Sequence, residues 1–228
     1  MGQGARKVNL PKNALDRNPR GARGSTVPDL DRKRHYSQPE TVEFYTTAAV
    51  EVGLWRSEEA LFRRVFAPGE ILLNVGCGAG RVSLALWELG YPQVVGVDFA
   101  RPMVEAARLL ASKLEYAAPF RVGDVTCLTF DAGSFDGAIW SAAGMADVVE
   151  PASQVMAMNA LRRVVRNGGR AIVTTPTTGG WSDDGVRALF RSTGWSIADM
   201  IARPALADEP EEVTRRYPDV NFWVLAAD

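Results

Sequence analysis

The chain has 228 residues, 46% of them apolar and 23% charged, with a formal net charge of −1. That length points to a single domain with a substantial core, and no run of about 18 apolar residues marks a membrane-spanning helix. The small net charge conceals a division: residues 1–34 hold nine Lys or Arg against three Asp, a local +6, and the remainder carries −7.

The N-terminal segment begins MGQGARKVNLPKN, which is basic and lacks the apolar centre of a secretory signal. With Pro11, Pro28, several glycines and hardly any large apolar side chains, residues 1–35 cannot bury enough surface to offset their ordering entropy. They read as a flexible basic arm, and a solubilising extension fits the same composition. His35 is the single histidine; it reads as a surface residue, and no histidine-based metal site is available.

From residue 36 onward, helix and strand patterns alternate. Helices are expected over 40–51 and 57–66, the second with Ser57 as cap, Glu58 and Glu59 in its positive first turn, and Leu61 and Val65 sharing a face. Pro68-Gly69 stops it. A short buried strand over 71–75 leads through a glycine-rich loop into a helix over 81–89, where Val82, Ala85, Leu86 and Leu89 form one stripe and Gly90 caps the end. The cycle repeats with a strand at 94–97, a helix opened by Pro102 and running to about 114, strands at 120–122 and 135–140, and a helix from Pro151 to 166. Gly168-Gly169 is expected to end that helix before a strand at 171–174. A helix over 183–191 precedes strands at 195–201 and 222–227, joined by the acidic loop DEPEEVTRRYPD. Such alternation implies an α/β fold, a mostly parallel sheet with helices on both faces. Cys77 and Cys127 show neither CxxC nor metal spacing and read as reduced thiols of a cytoplasmic protein.

Residues 72–83 read LLNVGCGAGRVS, with Gly76, Gly78 and Gly80 alternating where the first strand ends. Glycines so placed serve a tight turn or the close approach of a ligand, and the helix N-terminus beyond them adds free N–H donors. A phosphate-binding P-loop would need GxxxxGK[ST], and this loop has no Lys. A dinucleotide fingerprint, GxGxxG, would need glycine where Arg81 stands. The second strand ends in VVGVDFA, which places Asp98 at its tip, where a carboxylate can accept from both hydroxyls of a ribose. In Gly123-Asp124-Val125, at the tip of the third strand, Asp124 can accept from an adenine amino group.

Together, ILLNVGCGAGRVSLAL, VVGVDFARPMV, GDV, SFDGAIW and LRRVVRNGGRAIV resemble the class I S-adenosylmethionine-dependent methyltransferases over roughly residues 41–228. The resemblance implies a Rossmann-like seven-stranded, mostly parallel sheet, with the last strand antiparallel and inserted beside strand six. It implies S-adenosyl-L-methionine as cofactor, with Gly76 and Gly78 passing under the methionine moiety and Cys77 lining the turn. Asp98 would hold the ribose hydroxyls, Phe99 would lie against the adenine, and Asp124 and Val125 would read its edge. Trp140 and Ser141 would border the methionine and acceptor side. Residues 36–68, with AAVEVGLWRSEEALFRRVF, look like the leader helix of small-molecule members, Tyr45 and Trp55 being candidates for a lid over the cofactor; residues 69–228 would form the Rossmann-like core. Asn74 stands where the family usually has an acid that helps hold the methionine ammonium side. It keeps acceptor capacity and loses the charge.

No histidine follows position 35, so a histidine base on the later loops, as many O-methyltransferases use, is excluded. Asp147, Glu150, Asp183 and Tyr45 remain as base candidates, and an amine, thiol or ionised acid would need none. The segment SFDGAIWSAAGMADV lacks the NPPY or DPPY tetrapeptide of enzymes that methylate nucleic-acid amino groups, and the acidic body opposes a phosphate-binding face. The reading that results is methyl transfer to an O, N or S nucleophile of a small molecule. Two other functions stay open: an RNA or ribosomal-protein methyltransferase tethered by residues 1–34, and a non-catalytic S-adenosylmethionine-binding protein.

Overall fold

The computed structural model describes residues 29–228 apart from Ala143 and Pro218. Residues 1–28 of the expected arm lie outside that range. Its end is a helix, α1 (Asp29–His35), so regular structure starts before the expected boundary at residue 35. Two further helices, α2 (Pro39–Glu51) and α3 (Arg56–Val65), precede the first strand. The start of α3 differs from expectation. Ser57 does not cap it; its hydroxyl donates to Glu209 Oε1 at 2.5 Å, and the backbone N–H groups of Arg56 and Ser57 also donate to the Glu209 carboxylate, at 3.0 and 2.8 Å. The free donors of this helix end are therefore met by a distant acid.

Seven strands form one sheet in the order β3-β2-β1-β4-β5-β7-β6. In chain order they are β1 (Leu72–Val75), β2 (Val94–Asp98), β3 (Phe120–Val122), β4 (Phe135–Trp140), β5 (Val165–Pro176), β6 (Ser196–Ala202) and β7 (Val220–Ala226). Strands β1 to β5 pair in parallel, and β7 runs antiparallel between β5 and β6. The crossovers carry α4 (Arg81–Glu88), α5 (Arg101–Lys113), α6 (Pro151–Val164) and α7 (Asp183–Ser192).

Successive side chains of a strand point to opposite faces, and β1 shows the consequence. Leu73 and Val75 join Met158 and Leu161 of α6 and Phe190 of α7 in one core cluster, while Leu72 joins Leu61 and Phe62 of α3 and Leu86 of α4 in another. Because β1 lies between β2 and β4, the connections after β1 and β4 part company at this point, where sheets of this kind open a crevice at their carboxyl edge.

Two connections differ from the pattern reading. Gly168-Gly169 does not separate α6 from the following strand. That strand starts at Val165, and the pair forms a bulge between the registers Phe135↔Val165 and Gly137↔Arg170. Gly168, at φ +74, turns its N–H to the carbonyl of Ala227, a left-handed conformation that suits glycine. The acidic connection between β6 and β7 is no plain loop: α8 (Arg203–Leu206) precedes it and α9 (Glu211–Arg216) lies within it.

Gly96 sits opposite Phe120 in the β2–β3 register, and an added Cβ would lie 2.4 and 2.7 Å from two Phe120 ring atoms. Gly96→Ala is expected to cost about 1–3 kcal/mol by overpacking, lowering the thermal midpoint by about 2–4 °C per kcal/mol. Gly69→Ala, whose Cβ would meet nothing within 4 Å, is the control that thermal unfolding should leave unmoved.

Candidate active site

The β1–α4 loop gathers the site. Gly76, Gly78 and Gly80 have φ of +63, +53 and +94, a region that side-chain-bearing residues enter only at a cost. Asp98, at the carboxyl end of β2, braces this loop: Oδ2 accepts the N–H of Gly78 at 2.8 Å, and Oδ1 accepts the N–H of Ala100 at 2.9 Å. Burial pushes the Asp98 carboxyl up to about 6; the two backbone donors oppose that shift, and the negative charge of Asp147 adds to it.

Above the loop lies a cleft in two chambers that share Tyr45, Gly76, Gly78 and Ser141 as walls. The larger, of about 770 Å³, is also lined by Tyr36, Asp98, Phe99, Met103, Val125, Trp140 and Asp147. The smaller, of about 480 Å³, is lined by Asn74, Cys77, Arg81 and Tyr217 among others. A Cβ on Gly76 would stand 3.5 Å from Trp140 Nε1, so the loop passes close under that ring.

Most of the expected residues converge on this cleft. Tyr45, Asn74, Gly76, Cys77, Gly78, Asp98, Phe99, Val125, Trp140, Ser141 and Asp147 all line one chamber or both. Asn74 is buried, with its amide donating to Ser83 Oγ at 2.9 Å. The Cys77 thiol packs in the cluster of Leu84 and Phe120, and burial holds it well above its usual range, as an inert protonated thiol.

Other residues singled out by the sequence do not line the cleft. Asp124 lines neither chamber; its Oδ1 accepts the N–H and hydroxyl of Thr126 at 2.9 and 2.8 Å, which makes it a turn cap. Trp55 is no lid. It is 1% exposed, with the guanidiniums of Arg81 and Arg203 over its ring at 5.1 and 5.3 Å and the Tyr217 ring at 4.9 Å. Glu150 is an exposed residue preceding α6, and Asp183, in the first turn of α7, accepts from Asn221 at 3.3 Å; neither lines the cleft. His35, expected outside the site, stands edge-on to Tyr36 at 5.1 Å and does not line the cleft.

The pattern reading missed a buried network at the floor of the smaller chamber. Arg81 Nη1 and Nη2 donate to both oxygens of Glu58 at 2.6 and 2.7 Å, and Nη1 also donates to the Gly53 carbonyl at 2.7 Å. Glu58 further accepts the Ser141 hydroxyl and the Trp55 N–H, each at 2.9 Å. The GLWRSEE stretch and the arginine after the glycines were the available signals, but neither reveals the other as partner. Tyr36, Met103 and Tyr217 were missed for the same reason.

The residues fit S-adenosylmethionine. A carboxylate offers about four acceptor positions; Asp98 uses two on backbone donors, which leaves capacity for a ribose diol at the chamber wall. Phe99, Met103 and Val125 supply an apolar slot beside it, and the glycine loop leaves room for the methionine half.

Comparison with known proteins agrees with this geometry. A family profile described as a methyltransferase domain matches residues 72–169. Demethylmenaquinone methyltransferase of Beutenbergia cavernae is 30% identical over 220 residues, covering 92% of this chain and 82% of that protein. Nocamycin O-methyltransferase of Saccharothrix syringae is 35% identical over 145 residues, 61% of this chain and 49% of that one, so the match spans about half of its length. A TehB-like SAM-dependent methyltransferase from Corynebacterium glutamicum shares the fold, with a TM-score of 0.65 at 16% identity over 88% of this chain and all of that one.

Replacing Arg81 with Met would strand the fully buried Glu58 carboxylate, and about 3–5 kcal/mol of stability should be lost. Adding Glu58→Gln should recover much of it, as thermal unfolding of the single and double variants would show. Asp98 carries a pH signature. Its folded pKa lies above its unfolded one, so its stabilising contribution is present in acid and is lost as pH rises through about 6. Ligand hydroxyls bind the ionised form, so affinity runs the other way. Calorimetry with S-adenosylhomocysteine should show binding weaken by up to about tenfold per pH unit below about 6, a dependence that Asp98→Asn should flatten.

Proposed function

The chain belongs to the class I S-adenosylmethionine-dependent methyltransferases, and from that premise we propose that it methylates a hydroxyl of an uncharged small molecule, with Asp147 taking the proton. The observation that carries this reading is the make-up of the larger chamber. Among its described lining residues are two carboxylates, Asp98 and Asp147, and no Lys, Arg or His. Asp98 is committed to the loop and the ribose side, and Asp147 stands across the chamber from it, on the acceptor side. A phosphorylated or carboxylated acceptor would meet two carboxylates and no cation among these described residues. The relatives' names, demethylmenaquinone methyltransferase and nocamycin O-methyltransferase, support a small-molecule acceptor.

The bound cofactor supplies an electrophilic methyl group on its sulfonium. The protein's part is orientation, which contributes roughly 7–11 kcal/mol where reacting atoms are held in a near-attack arrangement. Asp98 would hold the ribose, Phe99 and Met103 the adenine, and Gly76 and Gly78 the methionine half, with Tyr45 covering it. Trp140, Ala142 and Val148 wall the acceptor side beside Asp147. A hydroxyl is a poor nucleophile until its proton is taken, and a placed base contributes about 10²–10⁴-fold. Both cysteines are free thiols, which supports a reducing, cytoplasmic setting.

The test is a panel of uncharged hydroxylated aromatic and alicyclic compounds with matched amines and thiols, read as formation of S-adenosylhomocysteine. Turnover is expected with hydroxyl members, and Asp147→Asn should lower kcat by about 10²–10⁴. Turnover of amines alone, or full activity in Asp147→Asn, would overturn the proposal.

A further inference from the structure

Tyr36 forms the turn between α1 and α2, where its N–H donates to the Arg32 carbonyl at 2.9 Å and Gln38 N–H donates to the His35 carbonyl at 3.2 Å. Its side chain leaves this turn for the site. The phenol donates to Asp147 Oδ2 at 2.9 Å, across 111 residues of sequence. The ring stands edge-on to Phe99 at 5.7 Å and 84°, and tilted against Tyr45 at 5.9 Å. One side chain thus touches the tip of β2, the helix above the glycine loop and the turn after β4, and it lines the larger chamber alongside all three.

We propose that Tyr36 is a positioning residue whose phenol–carboxylate bond to Asp147 clasps the N-terminal helices closed over the bound cofactor. This rests on the cofactor occupying the larger chamber. A ligand seated between Asp98 and Phe99 has the Tyr36 ring as one wall. That wall belongs to the segment before α2, whereas Asp147 belongs to the sheet's carboxyl edge. Entry and release require the two to separate, which breaks a hydrogen bond to a charged acceptor, among the stronger kinds a protein makes. The same bond fixes one oxygen of Asp147, so closure and the orientation of that carboxylate arrive together.

Stopped-flow measurement of S-adenosylhomocysteine release, read by intrinsic tryptophan fluorescence, tests the clasp without any acceptor. Tyr36→Phe and Asp147→Ala should each raise the off-rate by about tenfold, and the double variant should release no faster than either single one. Asp147→Asn is the discriminating control. It loses the charge as Ala does but keeps an oxygen for the phenol, so its off-rate should fall between wild type and Asp147→Ala. Removing the charge alone would favour ionised Asp98 and slow release, the opposite direction. An off-rate unchanged in Tyr36→Phe, or effects that multiply in the double variant, would overturn the clasp and leave the cofactor site standing. Failure of the wild type to bind S-adenosylhomocysteine would remove the cofactor placement and the clasp with it.

Discussion

The buried ion pair between Glu58 and Arg81 is the contact through which the parts of the site hold one another. Glu58 is fully buried and Arg81 nearly so, and desolvating two charges costs several kcal/mol each unless geometry and further hydrogen bonds offset it. Here they do. Glu58 accepts from both Arg81 nitrogens, the Ser141 hydroxyl and the Trp55 N–H. One carboxylate therefore joins the N-terminal helices, the helix that follows the glycine loop and the end of β4. The Arg81 guanidinium also faces Trp55, whose ring takes Arg203 as a second cation, and Arg203 is tied to Asp219 at 2.8 Å. The β6–β7 connection is drawn into the same assembly, and through it Tyr217 reaches the smaller chamber.

This assembly lets the glycine loop be thin without being loose. Three residues with positive φ would fray in an isolated peptide. In the protein they are held from below by Arg81 and from the side by Asp98, whose carboxylate receives the Gly78 N–H. The same arrangement forces Asp98 into a place where ionisation is costly, so its carboxyl rises to about 6. A residue that destabilises the empty protein at neutral pH while offering acceptors to a diol is an ordinary bargain at binding sites. Asp147 faces the same chamber and is close enough to raise Asp98 further.

The trade-off extends to the core. Trp140 is buried, yet its ring forms the roof over Gly76, so packing and ligand contact are two faces of one side chain. Gly144 is pressed onto the same Nε1–Cδ1 edge of that ring, where a Cβ would lie 2.5 Å from Nε1. The turn carrying Asp147 is thereby seated on an aromatic that walls the larger chamber. Geometry at the proposed base and geometry at the cofactor are set by a common residue.

What the amino-acid order determined by itself was whatever is encoded over a few neighbouring residues. Strand and helix periods, the alternating glycines at 76, 78 and 80, and an acid directly after an apolar run at Asp98 are all local, and they sufficed for the α/β architecture; the antiparallel last strand and most of the cleft lining followed from the resemblance of five such motifs to the methyltransferase family. The glycine pair at 168–169 misled because the same residues serve a helix stop or a strand bulge, and only the neighbouring strands decide between them. Trp55 misled because an aromatic near a lid has the same local signature whether it meets a ligand or the core. Glu58 with Arg81, and Tyr36 with Asp147, lie 23 and 111 residues apart. A pairing at that separation leaves no trace in either neighbourhood; it exists only once the sheet has brought the ends of β1, β2 and β4 to one edge and laid the N-terminal helices across them.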